Sequence, residues 1–503
     1  MPADAIQNLP SNFGTIDWAI VAAYLAGTVA VGIYANRFIR NMADYMVAGR
    51  SLKPYLAVAT MIGSELGLVT VMYMAQKGFT GGFAAFHIGL IAGVSTLIIG
   101  LTGFIVVPLR AMGVMTIPEF YERRFGRGVR IAGGIILAFA GILNMGLFLK
   151  AGAIFVTGLT GLTDPIYVSL VMTVMLAIVL LYTILGGMVS VVITDYVQFV
   201  VLSFGIIFAC GMAVHTLGWS HIVDTVRVIH GEAGFNPMHE GTGFGPSYMV
   251  WMIFTAGIVS SAVWQTSVMR ACAAESTAVV KKLYVWSSIG FLIRFMLPQF
   301  LGICALVYFF HHDAGRAVFF SGSAPVTDSA VTLRAMPVFL SQILPAGIIG
   351  LIGAGLLAAF MSTHDSYLLC WASVLTHDVV APISGETLST RARLLLSRAF
   401  IFIIGAFLLV WGLWYDLGQD LWDYMAISGA IYFTGAFALL CLGLYWKRAS
   451  TTGAYLALFA GIASIVGLVP VKKALGLEVL TAAHVGLGAA SLSLILMFVG
   501  SLL

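Results

Sequence analysis

Leu357-Ala358-Ala359-Phe360-Met361-Ser362-Thr363-His364-Asp365-Ser366 carries three hydroxyls, an imidazole and a carboxylate into a long apolar run. At helical spacing Ala359, Ser362, Thr363 and Ser366 fall on one face, and Asp365 lies three residues from Ser362, so the polar groups converge. Isolating a charge at membrane depth costs about 3 kcal/mol or more on insertion scales, which makes such a group a functional-site hypothesis by default. The stretch predicts a helix inside a membrane bundle, presenting oxygen ligands where lipid would exclude them.

The rest of the chain has the same character. Of 503 residues, 60% are hydrophobic and 9% charged, against roughly 25% charged in soluble domains. Apolar stretches of about 20 residues, the length that crosses a bilayer, recur between short polar loops. They predict an all-α polytopic membrane protein of one domain over 1–503, with thirteen spans at 15–36, 54–76, 83–109, 131–160, 165–185, 191–216, 248–269, 283–310, 338–367, 396–415, 424–445, 451–470 and 480–502. No Lys or Arg precedes the first span, so it reads as a transmembrane helix rather than a secretory leader.

Alternate loops carry Arg37, Arg40, Arg50 and Lys53; Arg110, Arg123, Arg124, Arg127 and Arg130; Arg270, Lys281 and Lys282; Arg391, Arg393 and Arg398; and Lys447 and Arg448. The opposite loops hold only Lys77, Arg227, Arg316, Arg334, Lys472 and Lys473. The positive-inside rule then predicts a multi-pass protein of the plasma membrane with its N-terminus outside and its C-terminus cytoplasmic. The net charge of +4 reports this topology and implies no nucleic-acid partner. Cys210, Cys272, Cys304, Cys370 and Cys441 lie in or beside apolar segments without paired spacing, implying neither a disulfide framework nor a zinc site. His311-His312-Asp313 lacks the further ligands a metal site needs. The expected partners are membrane lipid and a small polar solute, and the sequence leaves the oligomeric state open.

Thr60-Met61-Ile62-Gly63-Ser64-Glu65-Leu66-Gly67 places glycines around an acid in mid-span, which predicts a local break that frees carbonyl oxygens toward a cavity. Ser260-Ser261 and Trp264-Gln265-Thr266-Ser267 interrupt the seventh span in a comparable way. Interruptions at corresponding places in two halves point to a transporter binding site. The halves, 54–216 and 248–445, are compatible with two inverted five-helix repeats. Glu65, Lys150, Asp195, Arg294 and Asp365 are the ionisable groups at membrane depth. Lys150 has a stem long enough to reach an interface. Sodium is a hard cation suited to oxygen ligands, and the carbonyls of Gly63, Leu66 and Ala359 with the hydroxyls of Ser362 and Thr363 supply five. The same hydroxyls would also serve by bonding back to their own helix.

Three ordered motifs resemble the sodium/solute symporter family, which includes bacterial proline, sialic-acid and galactose transporters. Gly186-Gly187-Met188-Val189-Ser190-Val191-Val192-Ile193-Thr194-Asp195-Tyr196-Val197-Gln198 resembles its signature. Thr116-Ile117-Pro118-Glu119-Phe120-Tyr121-Glu122-Arg123-Arg124-Phe125-Gly126 and Gly443-Leu444-Tyr445-Trp446-Lys447-Arg448 resemble two of its loop motifs. The resemblance implies a LeuT-like five-plus-five inverted repeat with one helix before it and two after. It also implies a first sodium position on Gly63, Leu66, Ala359, Ser362 and Thr363, and a second, present in some members, on Asp195, Ser362, Asp365 and Ser366. Asp365 departs from the small hydroxyl residue usual there, leaving sodium and proton both open at that place. Glu65 matches an aspartate of proline-type members, which favours a cation-related role.

Arg294, before Pro298, resembles a substrate-contacting position of sugar transporters. A guanidinium clamps a carboxylate with two parallel bonds, so the expected solute is an organic anion or an amino acid, with Glu65, Thr70, His87, Gln265 and Tyr424 as further cavity candidates. Thr70 is short for a sugar contact, and Met269 replaces the glutamine usual before Arg270. The expectation is a sodium-coupled secondary symporter that imports a small polar organic solute. The alternatives are a proton-coupled symporter on the same fold, a sensor, or a membrane enzyme using His364 and Asp365, which adjacent helical positions turn about 100° apart.

Overall fold

Backbone polar groups in hydrocarbon must be satisfied within their own segment, and the chain accordingly folds almost wholly as helix. The computed structural model describes residues 9–35, 52–162, 164–385, 387–415 and 418–503, with backbone alone for 28–29, 31–33, 35, 64, 165, 182, 185–199 and 256. Arg37, Arg40, Arg50 and the side chains of the Gly186–Gln198 motif, Asp195 included, lie outside the described residues.

In chain order the first half holds α1 (Thr15–Ala35), α2 (Pro54–Glu65), α3 (Leu68–Gly81), α4 (Phe86–Thr102), α5 (Ile117–Phe125), α6 (Arg127–Asn144), α7 (Phe148–Thr160) and α8 (Pro165–Leu217). After α9 (Trp219–His230) come α10 (Pro246–Trp251), a π-helical stretch at Met252–Val259, α11 (Ser260–Val263), α12 (Gln265–Ala273) and α13 (Thr277–Phe310). A two-residue hairpin, Phe320–Ser321 with Ala324–Pro325, precedes α14 (Ala335–Ile343). The chain continues as α15 (Ile348–Val374), α16 (Thr390–Trp414), α17 (Leu421–Tyr445), α18 (Thr451–Ile462) and α19 (Ala482–Leu502).

Nine helical segments among the described residues are long and apolar enough to cross a membrane, and the pair Thr451–Gly467 and Val469–Leu475, bent by 87°, makes a tenth if taken as one span. Two expected boundaries change. The spans at 165–185 and 191–216 are joined in one uninterrupted 53-residue helical backbone, α8. At 1.5 Å per residue that is about 80 Å, well beyond the roughly 30 Å that one crossing needs. The span expected at 338–367 is instead Ile348–Ile383. Pro345 and Gly347, the latter at φ 85°, separate the apolar turn of α14 from α15.

Gly347 also exposes the first amides of α15, and Asp17 of α1 takes them. Its Oδ1 accepts the Gly347 and Gly350 N–H groups, both at 2.7 Å, while Oδ2 accepts that of Gly14 at 2.8 Å. A carboxylate at a helix N-terminus satisfies unpaired donors and the helix dipole together. Asp17→Ala is therefore expected to lower stability by about 2 kcal/mol, measured as a fall in melting temperature of the purified protein. No change would remove α1 as the cap of α15.

Small residues set the central crossing. A Cβ on Gly78 of α3 would lie 1.9 Å from the Gln299 carbonyl oxygen, and one on Gly302 of α13 equally 1.9 Å from that of Ala75. The two backbones touch there, the contact membrane helices use in place of hydrophobic driving force.

The His311-His312-Asp313 segment is also held by its neighbours. His312 stacks on Tyr308 with centroids 3.8 Å apart, and His311 bonds Thr225 at 3.1 Å. Among the described residues no group of three or more His, Cys, Asp and Glu side chains is arranged to hold a metal ion.

Candidate functional site

The expected break in the second span falls at Leu66-Gly67, between α2 and α3. Leu66 leaves helical geometry at ψ 60° and Gly67 is extended at ψ 164°. Across the bundle the chain departs from helix again at Trp264, at ψ 117° between α11 and α12. Both breaks dock on α15. A Cβ on Gly67 would sit 1.9 Å from Thr363 Oγ1, so the missing side chain is what lets α15 approach. Four residues along, Tyr367 Oη accepts the Trp264 indole N–H at 3.0 Å. Ala359, Thr363, Ser366 and Tyr367 lie on one face of α15, meeting the two broken helices in turn.

Glu65 ends α2 at the first break and is buried. Its Oε1 accepts hydroxyls from Thr266 at 3.0 Å and Ser267 at 3.2 Å on α12, and its Oε2 accepts Arg294 Nη1 at 3.0 Å from α13. The Arg294 guanidinium is held between Phe291 and Phe295, 3.9 Å and 4.4 Å from their ring centroids. One carboxylate thus ties both broken helices to α13. Beside it lies a cavity of about 80 Å³, lined by Glu65, Arg294, Asn144, Trp264, Tyr367 and Trp422 among others. A larger cavity of about 620 Å³ lies between α2, α8 and α13, with almost wholly apolar walls that include Leu66 and Arg294.

The residues expected at the first sodium position belong to two elements that meet. Gly63 and Leu66 lie at the α2 break, and Ala359, Ser362 and Thr363 lie on α15, where Thr363 Oγ1 donates to the Ala359 carbonyl at 3.0 Å. At the second position Ser366 Oγ donates to Asp365 Oδ1 at 3.3 Å. The same hydroxyl accepts Arg270 Nη2 at 3.0 Å.

Of the six expected substrate residues only Arg294 and Glu65 line the small cavity. The other four satisfy nearby groups. Thr70 Oγ1 donates to the Glu65 carbonyl at 2.9 Å, and His87 Nδ1 meets that of Ala84 at 2.6 Å. Gln265 Oε1 accepts the Ile117 amide at 3.1 Å, and the Tyr424 hydroxyl donates to the Leu143 carbonyl. Lys150 reaches the Tyr415 carbonyl at 2.6 Å. Sequence reasoning missed Asn144, whose Nδ2 bonds the Met425 carbonyl at 2.7 Å and Ser428 at 3.0 Å. The one side-chain amide in the mostly apolar 131–160 run was its available signal.

Charged clusters flank the cavity at both ends. Toward the α3 C-terminus, Lys77 Nζ lies 2.7 Å from Asp420 and 3.2 Å from Asp423. Gln76 adds bonds to Ser329 at 2.9 Å and to the Leu421 amide at 3.3 Å. Toward α5, Asp378 accepts Arg130 Nε at 3.0 Å and the Thr116 hydroxyl at 2.9 Å. Burial alone would raise the Glu119 carboxyl, but His377, the Met115 amide and Arg123 together hold it down to about 2.

Two helices broken at depth, both docked on a third helix and cross-tied by one buried ion pair, are the architecture of a LeuT-like secondary transporter. The model of the sodium:solute symporter family matches residues 45–461, and the chain belongs to that family. A sodium/glucose cotransporter of Vibrio parahaemolyticus is 26% identical over 91% of this chain and 86% of its own length. A sodium/sialic acid symporter of Aliivibrio fischeri is 25% identical over 90% and 88% respectively. The solved substrate-bound outward-open state of a Na+-coupled sialic acid symporter superposes with a TM-score of 0.78 over 97% of this chain and 98% of that one, at 21% identity. The chain is thus a membrane-embedded sodium-coupled solute symporter and not an enzyme. His364, the other half of the acid/base alternative, packs on Phe360 at 3.9 Å and Phe148 at 5.6 Å.

Proposed function

We propose that this symporter imports an amino acid, with the Glu65–Arg294 pair as its receptor. The observation that carries this reading is a buried pair of opposite charges lining a cavity at both helix breaks. A simple anion meets a guanidinium already neutralised by Glu65 and is repelled by that carboxylate. A zwitterion inserts into the pair with no net charge, its carboxylate to Arg294 and its ammonium to Glu65. The aromatic wall of Trp264, Tyr367 and Trp422 takes the apolar remainder and part of the ammonium charge.

Sodium binds at Gly63, Leu66, Ala359, Ser362 and Thr363. Support comes from the contact of the α2 break with Thr363, which brings freed carbonyls toward hydroxyls. An ion there draws α2 and α15 together and biases the bundle toward the substrate-competent state. The solute must tighten sodium binding by the factor by which sodium tightens the solute. Residues 54–216 and 248–445 are the two repeats that rock against each other. The Lys77 and Arg130 clusters alternate as outer and cytoplasmic closures, with the N-terminus outside.

Proteoliposome uptake of labelled amino acids, with sodium replaced by choline at constant pH and membrane potential, is expected to fall at least about tenfold, equivalent to roughly 1.4 kcal/mol of coupling. Uptake indifferent to sodium would sink the coupling site. Competition by carboxylates lacking the amino group, as effective as the parent amino acids, would replace the zwitterion with an organic anion.

A further inference from the structure

We propose that Asn144 selects the solute: its side-chain oxygen accepts a hydrogen bond from a hydroxyl or amide N–H on the side chain of a small amino acid. The inference rests on the amino-acid reading of the cavity above and adds which amino acids the cavity takes.

Asn144 is the last residue of α6, where the span tightens into a 3₁₀ turn, Met145–Leu147, before α7 begins. Such turns inside a helix mark functional or strained places. Here α17 fixes the amide. A carbonyl can only accept, so the Asn144 atom 2.7 Å from the Met425 carbonyl is Nδ2. Ser428 Oγ donates to the Tyr424 carbonyl at 2.7 Å and accepts Nδ2 at 3.0 Å. Both amide hydrogens are thereby used, and the side chain is left with acceptor capacity alone. Asn144 is 3% exposed, and its buried Oδ1 meets no donor among the described residues.

This orphaned oxygen belongs to a residue of the wall of the cavity that Glu65 and Arg294 also line. Trp422, Met425, Ala426 and Phe433 of α17 line the cavity as well and carry no side-chain oxygen. In the amino-acid reading Glu65 of α2 and Arg294 of α13 engage the ammonium and carboxylate. A donor for Oδ1, on the wall made by α6 and α17, then comes from the solute's own side chain. A buried acceptor left without a donor carries its full desolvation penalty. A methyl in place of the donor leaves Oδ1 unpaired, and a carboxylate sets oxygen against oxygen. Sites built around such a buried group discriminate strongly against the analogue that cannot pair with it.

Isosteric pairs remove solute size from the test. Melting of the purified full-length protein in sodium is titrated with serine against 2-aminobutyrate, threonine against valine, and asparagine against leucine. At least one polar member is expected to reach half-maximal stabilisation at a concentration at least about tenfold below that of its apolar partner. Stabilisation by the apolar members as effective as by the polar ones in all three pairs would overturn the inference and leave the amino-acid reading standing. Stabilisation by none of the six would remove that reading itself. In Asn144→Ala the polar-to-apolar ratio is expected to fall to within about threefold of one, whereas a merely structural amide would weaken both members alike and keep the ratio. A folded variant that keeps the tenfold preference counts against Asn144. Should that variant not fold, the wild-type pairs decide alone.

Discussion

Arg294→Ala is expected to destabilise the protein by about 3–5 kcal/mol and to abolish uptake, whereas Glu65→Gln/Arg294→Gln recovers most of the stability and none of the transport. Removing the guanidinium leaves Glu65 buried without its counter-ion, with the Thr266 and Ser267 hydroxyls as donors. It also empties the slot between Phe291 and Phe295 that the guanidinium fills. The double variant removes both charges and keeps amides of similar size, so the penalty of an unpaired buried charge disappears. Thermal melts in detergent read the first effect, and proteoliposome uptake the second. The comparison separates two roles: a purely structural pair would regain transport along with stability. Undiminished uptake by the double variant would therefore dismiss the pair as substrate receptor.

How much of this was legible depends on whether a residue's partner was local. The Gly63-to-Gly67 acid read as a break, and the backbone departs from helix at Leu66-Gly67, where the absence of a side chain lets Thr363 of α15 approach. Thr363 showed its face by periodicity alone. The cavity wall did not show itself. Asn144, Tyr367 and Trp422 come from three separate helices and Trp264 from the break between two others, and each resembles an ordinary aromatic or polar residue of a bundle core. Thr70, His87, Gln265 and Tyr424 show the converse. Polar residues in an apolar run read as cavity groups, yet three satisfy carbonyls and the fourth an amide. Where helices break and re-form within a membrane, freed backbone groups recruit such side chains before any solute does. Arg270 shows the same limit for charge: it read as a loop cation in the basic count and is buried beside Ser366, a placement that only the approach of α12 to α15 creates.

Gly67→Ala is expected to raise the sodium concentration for half-maximal binding at least about tenfold, or roughly 1.4 kcal/mol, with a stability loss of about 1–3 kcal/mol from overpacking. The added methyl would lie 1.9 Å from Thr363 Oγ1, 3.0 Å from its Cβ and 3.3 Å from its Cγ2. The first contact is impossible, so α15 and the break must separate, drawing the Thr363 hydroxyl away from the carbonyls of Gly63 and Leu66. Backbone conformation is not the obstacle, since Gly67 is extended at φ −83°, which alanine adopts freely. The cost is therefore steric, and relieving the steric clash should relieve the cost. Gly67→Ala/Thr363→Ala removes Oγ1 and Cγ2 and leaves only the 3.0 Å approach to Cβ, which a shift of a few tenths of an ångström accommodates. Its melting temperature should return toward that of the wild type. Sodium binding should not return, because the hydroxyl that the proposed position requires is gone. Recovery of both quantities in the double variant would mean that Thr363 only packs against the break, and the sodium ligands would have to be sought elsewhere on α15.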